Sequence, residues 1–67
     1  MSHPPQLVRV TGETLDGRDF CAGIIFAQSG RPWRAAPILA WAVRKAIPLP
    51  AFQRFAAKAH WQLEFLS

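Results

Sequence analysis

One cysteine, Cys21, is all this 67-residue chain contains, so no disulfide can form within it. Small secreted domains usually offset a thin core with several bridges, and a lone thiol points instead to a reducing, intracellular setting. Long apolar runs are missing too. The longest, residues 35–43, falls far short of the roughly 20 residues a membrane span needs. The opening Met-Ser-His-Pro-Pro has neither a charged n-region nor an apolar h-region, which argues against a signal peptide. A soluble protein is expected. Metal-ligand spacing is also lacking, since one cysteine and two distant histidines, His3 and His60, make no set. The few glycines give neither a phosphate-cradling loop nor a dinucleotide fingerprint, so no cofactor is implied.

What is present is apolar and basic. The apolar fraction of 51% against 18% charged is that of a folding chain rather than a disordered tail. At this length a single domain, residues 1–67, buries only about 60% of its unfolded surface. Three tryptophans and five phenylalanines must therefore supply much of the core. Eight Lys/Arg against four Asp/Glu give a net charge of +4. Two readings of that bias stand side by side. It favours contact with nucleic acid or an acidic protein patch, and it also keeps a small apolar domain in solution.

Residues 1–5 read as a flexible start, broken by Pro4 and Pro5. The β-branched pattern Leu7-Val8-Arg9-Val10-Thr11 predicts a strand, and Asp16-Gly17 a hairpin turn. Residues 20–27 predict a second strand, apolar on both faces and hence central in a sheet. The turn signal at residues 28–31 leads to a short third strand at 32–35, which Pro32 confines to an edge. Pro37 suits the first position of a helix. Ile38, Leu39, Ala42, Val43 and Ala46 share its apolar face. Residues 47–50 break this helix and start another, on which Phe52, Phe55, Ala56 and Ala59 form a stripe. Alternation over residues 61–65 closes the chain with a strand. The expected fold is α+β: a small antiparallel sheet of three or four strands with two helices on one face, in the order β-β-(β)-α-α-β.

Catalysis needs a nucleophile, a base and an orienting group in mutual reach. Cys21, mid-strand between apolar neighbours, reads as a buried inert thiol. His60, between a helix and the last strand, reads as a group satisfying terminal helix carbonyls. Asp16 and Asp19 flank a turn, Glu64 takes the polar side of a strand, and no spacing makes these acids or Glu13 converge. The chain is not expected to be an enzyme.

Surface chemistry carries the remaining signal. Arg31, Trp33 and Arg34 combine flat cations with a flat aromatic, the types enriched at interface hot spots. The competing reading has Trp33 covering the core edge between solvated arginines. Trp41 with Arg44 and Lys45 forms a second candidate patch, against a Trp that merely packs its helix. Arg54 and Lys58, one turn apart, are either a solvated face or part of a basic strip.

Three segments, Phe20-Cys-Ala-Gly-Ile24, Ala35-Ala-Pro-Ile-Leu-Ala-Trp41 and His60-Trp61 followed by Gln-Leu-Glu, together resemble a group of very short phage and prophage proteins. The likeness spans roughly residues 18–66. Those proteins often carry glycine before the last tryptophan, where this chain has His60. The resemblance implies a non-enzymatic protein acting in the cytoplasm of an infected or lysogenic bacterium by occupying a host protein surface. It is similar in size and character to anti-CRISPR proteins that inhibit type I (Cascade) effector complexes by stopping target DNA from docking. Its basic charge sets it apart from inhibitors that mimic DNA with acids. The alternative is a small basic accessory protein that binds nucleic acid. A monomer with no membrane partner is expected.

Overall fold

Val8 and Val10, with no accessible surface at all, stand at the centre of the sheet, and the rest of the chain is arranged to keep them dry. A computed structural model describes residues 5–66; most of the expected flexible start, His3 included, lies outside the described residues. Strands β1 (Gln6–Glu13), β2 (Asp19–Phe26), β3 (Pro32–Ala35) and β4 (Gln62–Phe65) form one antiparallel sheet in the order β3-β2-β1-β4. Between β3 and β4 come a 3-10 turn (Pro37–Leu39), helix α1 (Ala40–Arg44) and helix α2 (Leu49–Lys58). The sequence reading of an α+β domain, β-β-β-α-α-β, is the observed architecture.

Antiparallel register decides which side chains share a face. Val8 pairs with Ile24 and Phe65, and Val10 with Ala22 and Leu63. This face meets Leu39, Ala42 and Phe52 of the helical layer. Burying a phenylalanine such as Phe52 completely contributes up to about 3 kcal/mol. The other face, with Arg9, Thr11, Cys21, Gly23 and Ile25, is left open. Here the sequence reading is corrected. Strand β2 is internal, as its apolar pattern implied, but helices cover only one of its faces, and the Cys21 thiol is exposed. Small residues in a strand permitted a close approach that no element makes.

Proline sets the element starts. Pro32 sits on the edge strand β3, opposite Phe26, where the ladder is bulged between Ile25 and Phe26. Pro37 opens the 3-10 turn, and Pro50 stands in the first turn of α2, where it has no N–H to leave unsatisfied. The Leu49 N–H at the head of α2 donates to the Gly30 carbonyl at 2.8 Å. That bond ties the α1–α2 connection to the β2–β3 turn.

Both α-helices end in the same way. Ile47 N–H reaches back to the Ala42 carbonyl and Ala46 N–H to that of Val43; Trp61 N–H reaches Ala56 and His60 N–H reaches Ala57. These are Schellman closures, whose turning residue takes a left-handed backbone. Here that residue is Ala46 at φ 52° and His60 at φ 60°. His60 thus satisfies helix carbonyls through its own backbone N–H. It occupies, with glycine-like geometry, the position where the resembled phage proteins often carry glycine.

A left-handed backbone costs a non-glycine residue roughly 1–2 kcal/mol, partly offset by the greater chain entropy glycine loses on folding. Ala46→Gly and His60→Gly are each expected to raise stability by about 1 kcal/mol, read as a higher urea midpoint. Gly12 behaves oppositely. A Cβ there would lie 2.3 Å from the Trp61 ring. Gly12→Ala is expected to lower the urea midpoint by the equivalent of about 1–3 kcal/mol, the usual cost of overpacking.

Candidate functional site

The four acidic side chains occupy restricted places. Glu13, Asp16 and Asp19 gather at the β1–β2 hairpin, and Glu64 stands on the open sheet face across from Arg9. Residues 20–63 contain no acid at all, yet hold six of the eight basic residues: Arg31, Arg34, Arg44, Lys45, Arg54 and Lys58. Every one of the six is exposed. The ion pairs among the described residues, Arg9 with Glu64 and Arg18 with Asp16 at 3.5 Å, use only the other two. Both pairs are half or more exposed and add little to stability.

Topology then distributes the six cations. Strand β2 leaves the hairpin and ends at the β2–β3 turn, where Arg31 lies. Helix α1 runs to the same end, because the Leu49–Gly30 hydrogen bond holds the α1–α2 connection against that turn. Arg31, Arg44 and Lys45 therefore share the end of the molecule opposite the acidic hairpin. Arg54 and Lys58 continue along α2, on the side away from buried Phe52 and Ala56. Arg34 is separated from this group. It pairs with Ile25 and lies on the open sheet face, beside a shallow cavity of about 330 Å³ next to Leu7 and Gly23. Trp33, between paired neighbours at the bulge, is 58% exposed. It does not cover the core edge.

Trp41 takes the packing role. Its ring stacks on Phe52 at 6.2 Å and meets Phe55 at 5.0 Å. A chain of aromatic contacts continues from Phe55 to Trp61 at 5.2 Å and from Trp61 to Phe20 at 5.1 Å, both edge to face. The Trp61 indole N–H points to the Glu13 carbonyl at 3.4 Å, so the polar edge of the ring is also directed. Near the hairpin this aromatic layer opens into a groove of about 590 Å³, lined by Leu15, Phe20, Ile38, Trp41, Phe55 and Trp61. Leu15 is fully exposed, and Ile38 and Phe55 are 43% and 45% exposed.

This groove is absent from the sequence reading. Ile38 and Phe55 were assigned to buried faces by periodicity, and Leu15 to a turn. The acid-free span over residues 20–63 was visible in the sequence, and it is the signal that ties the scattered cations together.

A polar cavity of about 620 Å³ beside the groove is lined by Glu13, Asp19 and His60 among others. No side-chain hydrogen bond among the described residues joins the imidazole to either carboxylate. Among the described residues no group of three or more His, Cys, Asp or Glu is placed to hold a metal ion. No helix there is long and apolar enough to cross a membrane. The chemistry on offer is recognition: flat cations and one exposed tryptophan at one end, an aromatic groove at the other. No protein-family model, curated protein or solved structure matches the chain.

Proposed function

We propose that this chain is a non-enzymatic inhibitor of phage type that occupies an acidic surface of a host protein complex. Its most specific form is an anti-CRISPR protein that binds a type I (Cascade) effector subunit in the bacterial cytoplasm and blocks target DNA docking. The observation that carries the reading is the set of six exposed cations without an ion pair among the described residues, over a span without acids. Cations left unpaired on a small domain raise its encounter rate with an acidic patch and exclude basic partners. Arg31, Arg44 and Lys45 form the leading contact, with Arg54 and Lys58 extending it along α2. The resemblance to short phage proteins supplies the type of target.

A second reading, binding of nucleic acid, is favoured by one pairing: exposed Trp33 beside Arg34, an aromatic platform with a guanidinium next to it. The two readings separate in one set of measurements. The inhibitor reading expects stoichiometric co-elution with a purified type I effector complex and loss of its DNA binding. Arg44→Glu together with Lys45→Glu is expected to weaken that association by about tenfold or more, with unchanged thermal stability because both side chains are exposed. Failure to co-elute, with interference retained in cells, refutes it. The nucleic-acid reading expects gel shifts that vanish steeply with salt; no shift at low salt refutes that one. Trp33→Ala is expected to leave the fold intact under either reading and to reduce nucleic-acid affinity only under the second.

A further inference from the structure

Leu15 is fully exposed at the tip of a loop that is itself held closed. Thr14 N–H donates to the Arg18 carbonyl at 2.8 Å, Gly17 N–H to the Thr14 carbonyl at 3.0 Å, and Arg18 N–H to the Thr14 hydroxyl at 3.1 Å. The Thr14 hydroxyl also bonds the Asp16 carboxylate. A leucine on a fixed loop is an apolar knob whose ordering cost on binding is largely spent in advance. On the same side of the molecule lies the aromatic groove, with Ile38 and Phe55 nearly half exposed along it. Knob and groove therefore belong to one continuous face.

The flanks of that face carry opposite charges. The hairpin side bears Glu13 in the groove wall, Asp16 next to Leu15, and Asp19. The helix side bears Lys58, one turn beyond Phe55 on α2, and no acid at all. A surface with an apolar centre, an acidic rim and a basic rim is complementary to itself. A two-fold axis along the groove sets the acidic rim of each copy over the basic rim of the other.

We propose that a second copy of this chain covers the aromatic groove, forming a two-fold dimer in which Leu15 of each copy seats against Ile38 and Phe55 of the other. A standard interface takes about 800 Å² from each partner, so the hairpin and the helix flanks take part along with the groove. For a chain of this size, added burial also relieves a thin core. The assembly replaces the monomer expected from the sequence. It leaves Arg31, Arg44 and Lys45 outside, at the opposite end, so it stands or falls independently of the inhibitor reading.

The test is sedimentation velocity with light scattering on the full chain, across a concentration series and with reductant present because Cys21 is exposed. The expected result is a concentration-dependent species of twice the 7.5 kDa chain mass. Leu15→Asp and, separately, Ile38→Asp are expected to shift it to monomer by tenfold or more in dissociation constant, with circular dichroism unchanged. A chain that stays monomeric at millimolar concentration overturns the proposal. So does a dimer that withstands both substitutions, since it must use another face, and so does open-ended association, which a closed two-fold contact forbids.

Discussion

Trp61 lying over Gly12 is the contact on which the rest of the structure depends. The indole sits where a Cβ on residue 12 would be. It meets Phe20 of β2 and Phe55 of α2 edge to face, and its N–H turns toward the Glu13 carbonyl. One side chain thus joins the hairpin, the second helix and the entry to β4. Without a glycine at position 12 the ring would be lifted away from the hairpin, and α2 would lose its registration over the sheet. The left-handed His60 immediately before it aims the chain so that the ring lands there. The groove beside the hairpin exists because this aromatic packing is broad and ends abruptly at the loop carrying Leu15.

Much of the fold was legible because strand alternation and proline placement are local signals. Val8, Val10 and the Asp-Gly turn announce the first hairpin, and Pro32, Pro37 and Pro50 mark an edge strand and two helical starts without reference to anything distant. What was not legible is which apolar faces find a partner. Residues 20–27 look apolar on both sides, but only Ala22, Ile24 and Phe26 meet helices. Cys21 and Ile25 are identical in kind to core residues, and nothing within the strand says that the second layer is missing. Phe55 shows the same limit from the helix side: periodicity places it on the packing stripe, yet a ten-residue helix crossing a small sheet does not cover its whole stripe. The candidate contact residues fared according to the same logic. Arg31, Arg44 and Lys45 are far apart in sequence and meet only because α1 runs back to the β2–β3 turn, while adjacent Arg34 is turned to the other face by strand pleating.

Charge segregation gives the molecule a direction. Acids cluster at the hairpin, cations at the β2–β3 turn and along α2, and the two groups are kept apart by the length of the sheet. Their mutual attraction does little for the fold, since the paired side chains are solvated. The arrangement matters for association instead. A field with two poles orients an approaching surface before contact, and it does so differently for an acidic protein patch at one end and for a second copy at the other.

The first strand lies between β2 and β4, so its valines are flanked on one side by a near neighbour and on the other by a strand some fifty residues later. This has a consequence for synthesis. While the chain emerges from a ribosome, β1 and β2 pair early, yet Val8 and Val10 keep an unpaired edge until β4 is released. Closing that edge also requires both helices to be in place. The domain is therefore assembled in one late step, and its nascent form exposes a strand edge that must be shielded in the meantime.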